Sequence, residues 1–337
     1  MILLTGGTGL VGSQLLLDLT ISGKKVRALR RDKSDLSLVR SVFSAFPEKL
    51  NSIEWVEGDV NDIFSIEDAL AGVDTVYHSA AFVSFYPSDK RMMMKVNIEG
   101  TANMVNTALR MGVKRFCHVS STAALGNVFG DQQLSEDSWW KSSKENSNYA
   151  VSKYGAEREV WRAMEEGLNA FIINPSIVIG RGNWKSGSSQ MFAQVWKGLP
   201  FYTTGTTGLV DVRDVSEAAL MLMKKGVRNE RYILNSENLP YRIVFDLIAD
   251  GFGKKRAGIK VTPMLAEIGW RLEKLKSVFT HNHPMITRET ARSGLMQRRY
   301  SNEKIKKEIE INFIPIKESV SYVCKAFLAD TDLGTSI

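Results

Sequence analysis

The first half of the chain alternates short apolar runs with longer segments in which apolar residues recur every three or four positions. The short runs predict strands and the longer period predicts helices. Predicted strands occupy residues 2–4, 25–29, 53–56, 74–78, 115–119 and 170–173. Predicted helices occupy residues 10–19, 62–70, 90–111 and 149–166. This alternation predicts an α/β fold built on a doubly wound parallel sheet.

The pattern becomes less regular beyond Gly180. Helical periodicity returns at residues 190–197, 215–225, 242–249, 263–279, 302–308 and 316–328, with short strands at 209–212 and 232–234. We expect a first domain over residues 1–180. Residues 181–337 are expected to form a smaller mixed C-terminal substrate lobe over the C-terminal edge of the sheet, with some segments returning to the first domain. The polar stretch 131–148 predicts a flexible or substrate-facing loop, and residues 332–337 are expected to fray.

A glycine-rich turn, Thr5–Gly12 with the sequence TGGTGLVG, joins the first strand to the first helix. Such glycines between a strand and a helix are typical of dinucleotide binding. Gly6 permits the tight turn, Gly9 lets the backbone approach a pyrophosphate, and Gly12 lets the helix pack closely. The phosphates are expected at the helix N-terminus, where free N–H groups and the macrodipole favour an anion. The competing interpretation is a glycine-rich turn without a ligand.

The residues that end the second strand indicate which dinucleotide to expect. An acidic residue there accepts hydrogen bonds from the ribose 2′-hydroxyl, whereas a basic residue accommodates a 2′-phosphate. The strand ends in Leu29-Arg30-Arg31, and Asp32 follows one or two positions late. Because a guanidinium binds phosphate through paired hydrogen bonds, Arg30 and Arg31 favour NADP(H), with NAD(H) as the alternative. In a third interpretation both arginines are solvated and the site relies on backbone contacts.

Tyr149 and Lys153 lie four residues apart on a predicted helix, so their side chains share one face. A nearby ammonium and a cationic nicotinamide both lower the pKa of a tyrosine, which makes it a usable acid or base at neutral pH. Three hydroxyl residues, Ser120, Ser121 and Thr122, follow the fifth strand and face the crevice of such a sheet. A hydroxyl there can stabilise charge that develops on a substrate oxygen. The alternatives are a solvated helix pair and a serine-rich turn.

Composition argues against several other classes of protein. The net charge of +7 is moderate and no basic stripe with interleaved aromatic residues stands out, so we expect no nucleic-acid partner. The basic clusters 254–256 and 298–299 are interpreted as solvated surface, and no apolar run reaches the roughly 18 residues of a membrane span. The two cysteines, and a strand directly after Met1, predict a cytoplasmic chain without a signal peptide. His281 and His283 lack a third ligand nearby, so no metal is expected.

These motifs together resemble those of the extended short-chain dehydrogenase/reductases over most of the chain. Besides the glycine turn, the matching stretches are Gly58-Asp59-Val60, His78-Ser79-Ala80-Ala81, Asn97 with Gly100-Thr101, Ser120-Ser121, Tyr149 with Lys153, and Asn174-Pro175. The resemblance implies a Rossmann fold in which Tyr149 transfers the proton and Lys153 binds the nicotinamide ribose. It implies that Ser121, five residues before Gly126, is the catalytic serine, with Ser120 and Thr122 as possible substitutes.

The resemblance also implies a set of cofactor contacts. Asp59 and Val60 are expected along the adenine, Ala80 and Ala81 along the route to the nicotinamide, and residues 174–176 beside it. The complete set of expected cofactor residues is Thr5, Gly6, Gly9, Leu10, Val11, Gly12, Arg30, Arg31, Asp59, Val60, Ser79, Ala80, Ala81, Asn97, Val119, Tyr149, Lys153, Asn174, Pro175 and Ser176.

Three subgroups of that family differ at readable positions. The sugar 4,6-dehydratases carry an Asp-Glu pair where this chain has Ala123-Ala124, and nucleotide-sugar epimerases typically carry an acid where it has Arg30. Residues 26–31 and 180–184 are more similar to the dihydroflavonol reductase and 3β-hydroxysteroid dehydrogenase group, which acts on fairly apolar substrates. Expected substrate contacts are Phe82, Ser121, Thr122 and Trp184, with Phe85, Phe192, Phe201 and Tyr202 near the mouth.

The sequence therefore favours an NADP(H)-dependent enzyme that transfers a hydride between nicotinamide and a carbonyl or alcohol of a small molecule. The alternatives are a nucleotide-sugar epimerase with tightly bound NAD and a non-catalytic regulator that senses NADP(H). Helices 90–111 and 149–166 resemble the pair that forms a four-helix dimer interface in related enzymes, so we expect a homodimer, with a monomer as the alternative. Trp139-Trp140 either caps the substrate site or anchors its loop.

Overall fold

The computed structural model describes residues 1–126, 133–143, 145–280 and 287–332. The strands are β1 (Ile2–Thr5), β2 (Val26–Arg30), β3 (Ile53–Glu57), β4 (Thr75–His78), β5 (Arg115–Val119), β6 (Ala170–Pro175), β7 (Ile177–Ile179), β8 (Phe201–Tyr202), β9 (Thr206–Asp211), β10 (Glu230–Leu234), β11 (Glu237–Pro240) and β12 (Ile259–Lys260). The helices of the first part are α1 (Leu10–Ile21), α2 (Ser37–Val42), α3 (Pro47–Leu50), α4 (Ile63–Leu70), α5 (Lys90–Met94), α6 (Gly100–Arg110) and α7 (Asn148–Glu165). Those that follow are α8 (Gln190–Trp196), α9 (Val212–Lys225), α10 (Tyr241–Gly251), α11 (Pro263–Thr280), α12 (Arg288–Ser293), α13 (Glu303–Ile309) and α14 (Ile316–Asp332).

Seven strands form one parallel sheet in the order β10-β6-β5-β4-β1-β2-β3. Apolar clusters cover both of its faces, which is why these strands consist largely of buried apolar residues. A three-stranded sheet, β11-β9-β7, and the pair β12-β8 form a smaller mixed part. The predicted α/β fold with a doubly wound Rossmann sheet is confirmed. The strand order reverses between β1 and β4, the switch point at which such sheets bind ligands.

The predicted strands of the large sheet agree with the structure to within two residues at each end, and β5 agrees at both ends. Asp62 caps α4, accepting a hydrogen bond from the backbone N–H of Phe64. The pattern does not predict β7, β8, β11 and β12, because strands of two to four residues show no readable period. These short strands are defined by pairing with another strand; β7 and β11, for example, both pair with β9.

A separate apolar cluster, rich in aromatic rings, lies among residues 179–327. We call the part of the protein around it the second lobe. Trp184 is buried there, with its ring centroid 5.0 Å from that of Phe327, and Phe192 is fully buried beside it. The indole Nε1 of Trp184 donates a hydrogen bond of 3.1 Å to Asp330. The expectation that Trp184 and Phe192 line the mouth of a substrate site is therefore wrong. These rings supply the apolar area that a small lobe needs for its own core.

His78 links β1, β4 and the helix that follows β4 through a chain of buried hydrogen bonds. The Thr101 hydroxyl donates to the carbonyl of Asn97, so it can only accept from Nε2 of His78, 3.1 Å away. Burial lowers the pKa of His78 to about 3, so the ring is neutral and Nδ1 accepts from the hydroxyl of Thr5, 2.7 Å away. Thr5 Oγ1 in turn accepts from the backbone N–H of Ala80. The donor and the acceptor of every hydrogen bond in this network are therefore assigned.

His118 on β5 stacks on His78, with ring centroids 5.4 Å apart. Within the described structure neither of its ring nitrogens has a hydrogen-bond partner. Burial holds the pKa of His118 well below its usual range. The native ring therefore stays neutral at pH values at which the unfolded chain takes up a proton.

We expect His118→Leu to stabilise the protein at low pH. Protonation of the unfolded state below its ordinary pKa of 6.5 costs native stability, and the leucine variant lacks this cost. Its free energy of unfolding should rise by about 2 kcal/mol more at pH 5 than at pH 7.5, measured by urea denaturation. His78→Leu, which breaks two hydrogen bonds, is the contrast and should destabilise at pH 7.5. No gain for His118→Leu at pH 5 would show that the ring has a polar partner.

Candidate active site

The glycine turn leaves no room for side chains at two positions. Gly6 has a φ of +73°, and a Cβ there would lie 2.6 Å from the backbone nitrogen of Ala80. A Cβ on Gly12 would lie 2.1 Å from the carbonyl oxygen of Gly6. A Cβ on Gly9 would meet only that oxygen, at 3.4 Å. The turn is therefore packed tightly against the sheet and open on the side from which a pyrophosphate would approach.

The N-terminus of α1 follows this open side directly. Gly9 is the N-cap residue and provides no side-chain cap, and the first helical hydrogen bond runs from the Ser13 N–H to the Gly9 carbonyl. The N–H groups of Leu10, Val11 and Gly12 precede that bond and need an external partner. A cradle without side chains beside uncapped N–H groups fits a dinucleotide pyrophosphate.

The segment after β4 runs alongside the turn. The backbone N–H of Ser79 donates to the carbonyl of Thr5, and that of Ala80 donates to its hydroxyl, each at 3.2 Å. These bonds hold Ala80 and the exposed Ala81 beside the glycine turn, where the resemblance implies the route to a nicotinamide.

Asn97 lies in a π-helical turn, residues Lys95–Glu99, within a helix that the sequence predicts as regular. Its Oδ1 accepts from the N–H of Phe82 at 2.7 Å, and its Nδ2 donates to the carbonyl of Phe82 and to Ser152 Oγ. Ser152 donates to the carbonyl of Tyr149. The buried amide of Asn97 is thus used within the protein, which corrects the expected cofactor contact to a positioning role for Phe82 and α7.

The ends of β2 and β3 meet at the same edge of the sheet. The Gly58 N–H donates to the Arg30 carbonyl at 2.9 Å, and Asp59 Oδ1 accepts from the backbone N–H of Asn61. A Cβ on Gly100 would lie 2.7 Å from Val60 Cγ2, so this glycine allows the close approach of α6. Asp59 and Val60 therefore border the crevice on the side of β2 where the adenine is expected.

Two guanidinium groups lie at the end of β2. Arg30 donates from Nη1 to the carbonyl of Asp32 at 3.1 Å, and Arg31 is exposed. Neither forms an ion pair with a carboxylate of the described residues. Both charges therefore remain available to an anionic ligand.

Tyr149, Lys153 and Ser121 converge between α7 and the end of β5. Burial raises the pKa of Tyr149, and the nearby hydroxyl of Ser121 partly offsets that rise. The buried Lys153 donates from Nζ to the carbonyl of Val119 at 2.9 Å. Burial lowers the pKa of Lys153 to about 8, and the carboxylate of Glu157 opposes that shift. The arrangement places a phenol, a hydroxyl and an amine together.

Glu157 and Arg231 support this group, and the sequence analysis missed both. Glu157 is buried one helical turn beyond Lys153; its carboxylate accepts from Asn174 Nδ2 and pairs with Arg231 at 3.4 Å. The same amide nitrogen of Asn174 donates to the carbonyl of Ser121 at 3.0 Å. The spacing of four residues from Lys153 was a readable signal for Glu157. No local signal identifies Arg231, because only the strand order brings β10 beside β6.

Residues 174–176 lie where β6 ends, at the position where the resemblance implies a nicotinamide wall. Asn174 and Pro175 are buried at the end of β6, and the amide of Asn174 supports Ser121. Ser176 is also buried and donates to the carbonyl of Leu234 at 3.2 Å. The carbonyl of Val119 is occupied by Lys153. These contacts support the site from within the protein, while the buried Oδ1 of Asn174 has no partner among the described residues, so the nicotinamide contacts expected here stay a prediction.

The loop between β5 and α7 is anchored at several points. The Trp140 ring stacks on that of Tyr154, with centroids 4.3 Å apart and planes 6° from parallel. Glu136 accepts from the backbone N–H of Ile233 at 2.8 Å. Trp139, in contrast, is 88% exposed. Trp140 thus anchors the loop, whereas Trp139 does not. Residues 127–132 and 144 of this loop lie outside the described structure.

Apolar side chains border the open side next to Tyr149. Its ring meets that of Phe85 edge to face, with centroids 6.0 Å apart, and Phe85 and Val83 are both exposed. Of the three adjacent hydroxyl residues, Ser120 and Thr122 are buried, so Ser121 is the one beside Tyr149. The accessible wall of the site is therefore largely aromatic and aliphatic.

The second lobe reaches the catalytic helix through α12. The carboxylate of Glu289 accepts a hydrogen bond of 3.2 Å from the backbone N–H of Asn148, directly before Tyr149. His281 and His283 lie outside the described residues. Among those described, no group of three or more His, Cys, Asp or Glu side chains could hold a metal ion. No described helix is long and apolar enough to cross a membrane.

Comparison with known proteins places these features in context. Residues 2–234 match the NAD dependent epimerase/dehydratase family. The chain is 31% identical to sterol demethylase protein B of Methylococcus capsulatus over 79% of its own length and 78% of that protein. It is 34% identical to a Synechocystis protein with the provisional name dihydroflavonol 4-reductase, over 70% of this chain and 67% of that protein.

A solved structure is similar over nearly the whole length. The crystal structure of gox2253 superposes with a TM-score of 0.81 at 30% sequence identity, covering 100% of this chain and 99% of that one. The likeness therefore includes the second lobe as well as the large sheet.

We expect Glu157→Gln to lower the pKa of Lys153 by about one unit from its value near 8, because a carboxylate that favours the ammonium is lost. The glutamine oxygen still accepts from Asn174, so the position of Ser121 is kept. The measurement is the titration of the Lys153 ε-carbon by nuclear magnetic resonance, assigned with Lys153→Met. The control is Glu159→Gln, which removes a carboxylate of the same helix that pairs with Arg162. An unchanged Lys153 midpoint in Glu157→Gln contradicts the electrostatic role.

Proposed function

Because the chain belongs to the NAD dependent epimerase/dehydratase family, we propose that it is an NADP(H)-dependent oxidoreductase that interconverts a carbonyl and an alcohol of a fairly apolar small molecule. The observation that carries this proposal is that the side chains of Tyr149 and Ser121 lie close together, beside the buried Lys153. These groups lie at the C-terminal edge of the sheet, which also carries the glycine turn. Relatives named as a reductase and a sterol demethylase protein support it.

Each residue has a distinct task in the proposed reaction. A bound nicotinamide supplies or accepts the hydride. Tyr149 donates the proton to the substrate carbonyl oxygen during reduction. In the protein alone, burial raises the pKa of its phenol, the opposite of the lowering that the sequence predicts from Lys153 and a cationic nicotinamide. Ser121 donates a hydrogen bond to the same oxygen and stabilises its developing charge. The Lys153 ammonium stabilises the phenolate that remains.

The preference for NADP(H) rests on Arg30 and Arg31. Two cations without carboxylate partners among the described residues favour the 2′-phosphate. Asp32 is the counterargument, because an acid near this position can bind a ribose 2′-hydroxyl. NAD(H) is therefore the alternative cofactor.

The proposed substrate class follows from the exposed wall beside Tyr149. Phe82, Val83 and Phe85 present apolar surface at the place where the reacting carbonyl must lie. An aromatic or alicyclic ketone would bury this surface. We also propose a homodimer through the helix pair α5–α6 and α7, whose exposed apolar residues include Met92 and Val151.

A nucleotide-sugar epimerase is the second candidate, favoured by the description of the matching family. It would hold NAD tightly and return the hydride to the same substrate. A non-catalytic NADP(H) sensor is the third. Purified protein that retains NAD and converts a nucleotide sugar supports the epimerase, whereas cofactor binding without any turnover supports the sensor.

We expect Tyr149→Phe to lower kcat at least about 100-fold in carbonyl reduction, because the proton donor is lost. A substrate is first identified by assaying a panel of ketones, aldehydes and nucleotide sugars with NADPH and NADH in parallel. The control is Tyr154→Phe, on the same helix but stacked on Trp140. Full turnover by Tyr149→Phe, with NADPH affinity equal to that of the unmodified protein, contradicts the assigned role.

We expect Arg31→Gln and Arg30→Gln each to weaken NADPH binding by about tenfold or more, the cost of one charge-assisted hydrogen bond to phosphate, and to leave NADH binding unchanged. Fluorescence titration with both nucleotides measures this. Arg40→Gln removes an exposed arginine of α2 and is the control for net charge. Equal losses for NADPH and NADH, or none, contradict recognition of the 2′-phosphate.

A further inference from the structure

Helix α11 exposes an apolar stripe along its length. Met264, Leu265, Ile268, Leu272 and Leu275 are 44–69% exposed. With about 100° of rotation per residue, these five side chains fall within one face roughly 100° wide. Lone exposed apolar residues are ordinary, but a continuous stripe of this kind marks an interaction surface.

The opposite face of α11 is the one turned toward the protein. Ala266, Trp270, Glu273 and Ser277 are partly buried and fall on that side, and α11 packs against α12. An amphipathic surface helix ordinarily buries its apolar face and exposes its polar face. In α11 the apolar face is exposed and the partly buried face is the more polar one. Contacts with the described residues of this lobe therefore do not explain the apolar stripe.

Cations flank the stripe. At about 100° per residue, Arg271 and Lys276 lie on its two borders, and Lys274 follows on the polar side. Arg271 and Lys276 each form a surface ion pair within the helix, with Glu267 and Glu273 respectively. Residues 254–276 carry seven Lys or Arg and two Glu, a net charge of +5 out of +7 for the whole chain. Long basic side chains at the border of an apolar face can reach phosphate groups while their stems lie on hydrocarbon.

We propose that α11 docks this protein on the surface of an anionic phospholipid bilayer, lying in the interface with its apolar stripe toward the acyl chains. The combination of a continuous aliphatic face, bordering cations and a strongly positive segment is that of an interfacial helix. A second copy of the chain fits less well, because two surfaces of like charge would have to approach each other.

Vesicle flotation tests the proposal with the full-length protein and no substrate. We expect binding to vesicles of phosphatidylcholine mixed with phosphatidylglycerol, little binding to phosphatidylcholine alone, and release at high salt. Leu272→Glu with Leu275→Glu should reduce binding at least about tenfold, since two apolar side chains no longer enter the interface. Ile268→Gln with Leu275→Gln tests the same loss without new charge, and Lys260→Gln with Lys274→Gln tests the electrostatic part.

The matched control is Phe64→Ser, which removes an apolar side chain that is 78% exposed on α4. Phe64→Ser should bind vesicles like the unmodified protein. All variants should have the unfolding temperature of the unmodified protein and its oligomeric mass, measured by sedimentation equilibrium. Absence of binding to anionic vesicles, or binding that survives both α11 apolar variants, overturns the proposal. A dimer that dissociates only in those variants overturns it too, by showing that a second copy covers the stripe.

Discussion

The backbone of the glycine turn lies directly against the backbone that follows β4, and the geometry of the site depends on this contact. A side chain at Gly6 would collide with the main chain of Ser79 and Ala80, so β1 and β4 can pair only if this position stays bare. Their pairing creates the switch point of the sheet. The N-terminus of α1 and the ends of β4 and β5 then share one crevice, which brings the glycine turn close to Ser121, Tyr149 and Lys153.

A buried polar layer beneath this crevice holds the catalytic helix from two directions. Asn97 reaches α7 through Ser152, while Glu157 on α7 reaches the end of β5 through Asn174. Burying charged groups costs solvation energy, and the ion pair of Glu157 with Arg231 offsets part of this cost. Lys153 is the group most affected, because its charge survives burial partly through Glu157. The buried carboxylate of Glu157 therefore both supports the site, through Asn174, and favours the charged form of Lys153.

The sequence predicted the large sheet well because each of its strands is a continuous apolar run between helices of different period. It also predicted that Tyr149 and Lys153 lie on one helix with a shared face, since a spacing of four is a local property of a helix. It was wrong about Trp184, whose ring completes the core of the second lobe. The resemblance assigns Asn97 and Asn174 to the cofactor, whereas their amides also form hydrogen bonds with Phe82, Ser152, Ser121 and Glu157, which the sequence does not predict because these partners come from other elements.

The chain by itself determined the strand–helix alternation, the bare glycine turn and the shared face of Tyr149 and Lys153, because each follows from backbone sterics or helix period within about ten residues. Only the tertiary structure decided which groups meet across the sheet, such as Glu157 with Arg231, and which face of α11 points outward. Those outcomes depend on strand order and on packing between distant segments, and no local pattern encodes either of them.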